Sequence, residues 1–155
     1  MAVRPLEPMG SKIGTLLPDF TVETTTGRTI HRREFKGRKH LVVCFAEVGV
    51  GNAQRLAAAV APLYPSWRAE RAEGLLVVTA PIVAARDTPM PPIIVDTDGQ
   101  LRVRFGVGTE AALFIADRYG EIAFYAAVAA DTATQGLPLD EVLPRLEQLE
   151  MRCSL

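Results

Sequence analysis

The chain has 155 residues, 48% of them hydrophobic and 23% charged. That is the length of one domain with enough apolar residues for a full core, which excludes intrinsic disorder as the dominant state. The longest uncharged apolar run, Ile122 to Ala130, is about half the roughly 20 residues a helix needs to cross a bilayer, so no membrane partner is expected. Seventeen basic and eighteen acidic residues leave a net charge of −1, which argues against wholesale nucleic-acid binding. The charge is nevertheless uneven, with 11 Lys/Arg against 7 Asp/Glu in residues 1–80 and 6 against 11 in residues 81–155.

In chain order, residues 1–13 read as an extended arm punctuated by Pro5, Pro8 and Gly10, and residues 14–151 as the domain. Asp19 to Glu23 alternates polar and apolar residues as a half-buried strand does, and Thr26-Gly27-Arg28 turns it into a hairpin with Thr29-Ile30-His31. Leu41 to Ala46 is continuously apolar, the pattern of a central strand buried on both faces. Gly49-Val50-Gly51 breaks it, and Asn52 is the expected N-cap of a helix over Ala53 to Ala61. Pro62 and Pro65 interrupt that helix, and Ser66 to Glu73 resumes a polar helical pattern.

Leu75 to Thr79 reads as a second buried strand, Pro81 to Pro92 as a loop, and Ile93-Ile94-Val95 as a short strand ending in the Asp96–Gly99 turn. Gln100 to Phe105 suits a helical turn. Leu113–Ala116 and Glu121–Tyr125 flank a turn at Asp117–Gly120 and form an antiparallel hairpin, and Asp140 is the expected cap of a last helix to about Met151. Residues 152–155 are a short tail. Strands alternating with helices predict an α/β fold, a mixed sheet with parallel centre strands.

This order and its punctuation resemble the thioredoxin fold in its peroxiredoxin/redoxin form, the alkyl hydroperoxide reductase and thiol-specific antioxidant family. Three segments carry the likeness: Gly14 with Pro18-Asp19-Phe20, Gly27 and Phe35-Lys36-Gly37-Arg38; Asp96 to Gly99 with Phe105-Gly106-Val107; and Leu113-Phe114-Ile115-Ala116-Asp117 with Gly120 and Ile122. The resemblance implies a three-layer fold, a central mixed sheet flanked by helices, with an N-terminal hairpin. It also implies where a redox site would lie, since the family places a cysteine at the start of the helix after the buried strand, where the helix dipole favours a thiolate. Here that stretch runs from Glu47 to Arg55, with Val50 and Ala53 at the approximate places of the two redox sulfurs and Ala111 at that of the family's cis-proline. Neither Val50 nor Ala53 can attack a peroxide. An ordinary trans peptide is expected at Ala111, because a cis bond before a non-proline residue costs about 2.5–4 kcal/mol.

Two cysteines are too few for a disulfide framework or a four-ligand zinc site, and no signal-like segment opens the chain, so a reduced, cytoplasmic protein is expected. Cys44, inside the buried strand, reads as a small hydrophobe, and Cys153 as a tail thiol. His31 and His40 have no ligand spacing, Gly49-x-Gly51 lacks the rest of a phosphate loop, and the three serines suggest no triad, so no metal or cofactor is expected. The Arg28–His40 stretch holds six Lys/Arg against Glu34 alone, a solvated rim or a docking surface for an acidic partner. Interleaved aromatics that would stack on bases are missing, which weighs against nucleic acid.

The preferred expectation is a redoxin-type protein without the catalytic cysteines that binds a protein or peptide, or an anion, through Glu47, Asn52, Gln54, Arg55, Thr109 and Glu110, where loops beyond the sheet's carboxyl ends converge. Its rival is an active thiol oxidoreductase or peroxidase using Cys153 or Cys44. Oligomeric state is open, with the strand near Glu121–Ala126 free to pair with a second chain.

Overall fold

The computed structural model describes residues 12–83, 87–128 and 136–153, the side chain of Cys153 excepted. Most of the expected arm, residues 1–11, therefore lies outside the described residues, as do Ser154 and Leu155. The elements are β1 (Thr21–Glu23), β2 (Thr29–His31), a 3-10 turn (Arg32–Phe35), β3 (His40–Phe45), α1 (Asn52–Val60), α2 (Tyr64–Ala69), β4 (Ala72–Val78), β5 (Ile93–Val95), α3 (Gln100–Arg104), β6 (Ala111–Ala116), β7 (Ile122–Val128), a 3-10 turn (Leu139–Glu141) and α4 (Val142–Cys153).

β1 and β2 form the expected hairpin, with Val22 opposite Ile30. The main sheet has the order β5-β4-β3-β6-β7, parallel from β5 to β3 and antiparallel from β3 to β7. Every residue of β3 is buried, because the strand is central and both faces are covered. Its side chains alternate: Val42, Cys44 and Ala46 join the core beneath α1, α2 and α4, whereas Leu41, Val43 and Phe45 join a second core closed by Leu17, Ile30, Phe35 and α3. The second core is aromatic, with the Phe45, Phe105, Phe114 and Tyr125 rings in contact at centroid separations of 4.8–5.9 Å.

Three expectations are corrected. β4 begins at Ala72 and not Leu75, and the helical pattern does not run to Glu73. α2 stops at Ala69, Arg71 turns through φ 57°, and the Glu73 carboxylate is then buried as the acceptor of the Tyr64 hydroxyl and the Gly74 amide. A polar residue that looks helical in sequence is thus a satisfied buried group at the start of a strand. Gly74 packs closely, since a Cβ there would meet Pro91 at 3.2 Å and the Trp67 ring at 3.5 Å, so a larger residue would have to displace Pro91 by a few tenths of an ångström.

Asn52 is not the cap of α1: Gly51 is, at φ 82°, and Asn52 is the first helical residue. Asp140 is not the cap of α4 either: it lies inside the 3-10 turn, one residue before Glu141, which directly precedes the helix. α4 docks through Val142, Leu146 and Leu149, and a 2.6 Å bond joins Glu150 to the fully buried His40 at the head of β3. Among the described residues no helix is long and apolar enough to cross a membrane.

Candidate functional site

At the carboxyl end of β3 the chain leaves the sheet at Ala46, whose amide still donates to Val77 O at 2.9 Å. Val48 N then donates to Thr109 O at 2.9 Å, so the two loops expected to converge, Glu47–Arg55 and Thr109–Ala112, are in contact. Gly49 and Gly51 supply the positive φ that turns the chain into α1, at 137° and 82°.

The polar side chains here are engaged with one another. Asn52 Nδ2 donates to Val48 O at 3.3 Å, and Arg55 Nη2 donates to Asn52 Oδ1. Gln54 clamps the loop after β4, donating to Val83 O at 3.2 Å and accepting from Val83 N at 3.4 Å. Glu110 Oε1 accepts from Gly108 N at 3.2 Å. Beside the exposed Gln54, Arg55 and Thr109, three valines also face solvent: Val48 is 42% exposed, Val83 85% and Val50 100%.

Val50 therefore points away from the protein, and Ala53 is buried against the helical core. Ala111 begins β6 opposite Val128, and the described residues contain no cis peptide bond. Cys44 lies between Leu76 and Leu113 in the middle of the sheet with no exposed surface, and burial pushes its thiol up to about 12. A thiol so placed gives no thiolate at neutral pH. The Cys153 side chain lies outside the described residues. Also among the described residues, no group of three His, Cys, Asp or Glu side chains could hold a metal ion.

The residue that organises this end is Arg102, which sequence reasoning missed. From α3 its guanidinium is buried over the Phe45 ring and donates to three carbonyls, Gly108 O at 2.6 Å, Ala46 O at 2.7 Å and Glu110 O. It ties the loop after β3 to the segment before β6. Burial lowers its hold on the proton, and the Glu110 and Asp96 carboxylates act in the opposite sense. Asp96 also fixes α3, accepting from Leu101 N and Arg102 N at 3.0 Å. The only sequence signal for Arg102 was its place beside Leu101 in a short helix, a place scarcely different from that of the exposed Arg104.

The chain is similar to a reduced 2-Cys peroxiredoxin of Plasmodium vivax (TM-score 0.75, 13% identity, 93% of this chain and 99% of that one). It is similar to the AhpC of Mycobacterium tuberculosis (0.69, 21%, 96% of each) and to the peroxidoxin BcpB of the same organism (0.66, 17%, 88% and 97%). No protein-family model matches the sequence, and no curated protein does. At these identities the likeness is one of architecture: the chain is folded as the peroxiredoxins are, over nearly its whole length.

Proposed function

We propose that this peroxiredoxin-fold protein acts by binding a protein or peptide segment and not by thiol catalysis. The observation that carries the reading is the pair of positions taken as those of the redox sulfurs: Val50 is fully exposed hydrocarbon and Ala53 is buried in the core. The buried, strongly protonated Cys44 supports it. The contact surface is the loop cluster of Glu47, Asn52, Gln54, Arg55, Thr109 and Glu110, held by Arg102. Its exposed valines offer apolar contact to a peptide, and the engaged polar groups keep the loops in one shape. The reading includes the reduced cytoplasmic setting expected from two cysteines.

The test is peroxide consumption and insulin-disulfide reduction by the purified protein, with the Cys153→Ser and Cys44→Ala variants beside it. No turnover above buffer is expected for any of the three. Turnover that Cys153→Ser abolishes would replace this reading with a thiol enzyme.

A further inference from the structure

At the opposite end of the sheet, where β3 begins and β6 ends, a cavity of about 250 Å³ opens between three segments. The chain around Leu17, the 3-10 turn with the loop after it, and the Asp117–Gly120 turn are its walls. Those walls are tied together: Leu17 N donates to Gly120 O at 2.8 Å, Gly37 N to Arg118 O at 2.6 Å, and Arg32 Nη1 to Leu17 O at 2.8 Å. The cavity is thus built by the fold and is not a gap between loose loops. Leu17, Phe35 and Leu41, all buried, give it an apolar floor, and Tyr119, 55% exposed, stands at its mouth.

Its charge is one-sided. Five cationic side chains line it against two carboxylates, Asp19 and Asp117. Asp19 lies 3.8 Å from Arg32, and Asp117 Oδ1 accepts from the Tyr119 and Glu121 amides. Arg33, Lys36 and Lys39 make no ion pair among the described residues. Positive charges gathered around a concave, low-dielectric wall raise the local concentration of anions. Four of the six cations of the basic stretch, Arg32, Arg33, Lys36 and Lys39, therefore stand around a pocket.

We propose that this cavity binds a small phosphate monoester with an apolar body, the dianionic head held by Arg33, Lys36 and Lys39 and the body resting on Leu17, Phe35 and Leu41. Three unneutralised cations match a doubly charged head better than a carboxylate. The volume, just below the usual range for organic ligands, suits a single aryl or short aliphatic group. The proposal is independent of thiol chemistry and of the surface at the start of α1.

The test is calorimetric titration of the full chain with phenyl phosphate, inorganic phosphate and phenol, together with amide NMR shifts. Saturable one-to-one binding of phenyl phosphate is expected, about tenfold or more tighter than either fragment, because only the intact monoester uses both floor and cations. The shifts should map to residues 33–39 and 117–120. A Lys36→Gln/Lys39→Gln variant should lose about tenfold in affinity, and Arg38→Gln, a charge just outside the lining, at most about twofold. All three side chains are exposed, so the variants should fold, and circular dichroism checks that they do. The proposal is overturned by binding that is not saturable, by equal affinity for inorganic and phenyl phosphate, or by a double variant that binds as well as the wild type. Tighter binding of a single-stranded oligonucleotide than of phenyl phosphate would also overturn it, showing the rim to be a polyanion surface.

Discussion

The two ends of the central sheet are built on opposite electrostatic plans. At the end where α1 starts, most polar side chains bond to neighbouring protein groups: Arg102 to three carbonyls, Arg55 to Asn52, Gln54 to Val83, and Glu110 to Gly108. That end also shows three valines, Val48, Val50 and Val83, to solvent. At the other end, roughly 20 Å away at about 3.3 Å per residue along β3, Arg33, Lys36 and Lys39 stand around a cavity with an apolar floor and make no ion pair among the described residues. A chain folded as the peroxiredoxins are is therefore tied internally at the end where α1 starts, while unpaired charge collects at the other.

The largest effect that would break this contrast is at Arg102. Arg102→Met should lower unfolding free energy by about 2–4 kcal/mol in urea, because it removes the donor to the buried Ala46 carbonyl and to the part-buried Gly108 and Glu110 carbonyls. Arg102→Lys should recover little, since one ammonium cannot reproduce the planar fork. A loss below about 1 kcal/mol would mean that the end holding α1 is not held by this residue.

Midway between the ends, Cys44 adds a pH dependence. Its thiol rises from an ordinary 9.0 to about 12 in the fold, so above 9.0 the unfolded chain releases this proton first. Its contribution is thus complete below pH 9.0 and is lost as pH climbs toward about 12, by up to about 1.4 kcal/mol per pH unit. About one and a half units above that threshold the loss should reach about 2 kcal/mol. Chemical denaturation of wild type and Cys44→Ala across this window measures it, and equal slopes would contradict the burial assigned to the thiol.

Smaller again is the latch at the head of β3. Glu150→Ala should cost about 1–2 kcal/mol by removing the partner of buried His40, with Glu150→Gln closer to wild type because an amide can still accept the bond. Smallest are the charges of the basic end. Lys36→Gln or Lys39→Gln should alter unfolding free energy by less than about 0.5 kcal/mol, since neither makes an ion pair among the described residues. A larger change would mean that the fold itself uses them.

What could be read in advance follows from how local the physics is. The continuous apolar run of β3, the Thr26-Gly27-Arg28 hairpin turn and the Asp96–Gly99 turn were legible because neighbouring residues determine them. The loop pair at the end holding α1 was legible from topology, and the structure brings Val48 to Thr109 as expected. Arg102 was not, because its burial depends on the phase of a five-residue helix against strands distant in sequence. The start of β4 was misread for the same reason: Glu73 looks like a helix surface until Tyr64 gives it a buried partner. Asn52 was misplaced by one residue because Gly51, in the left-handed conformation, closes the helix end without a side chain.

The central claim, that no thiol in this protein is poised for chemistry, is tested most directly by alkylation rates of Cys44 and Cys153 in the native protein as a function of pH, read by intact mass. Cys44 should react only as fast as the chain opens, and neither thiol faster than a free cysteine of ordinary pKa, about 8.5. A thiol that reacts rapidly and completely several pH units below that value would contradict the account.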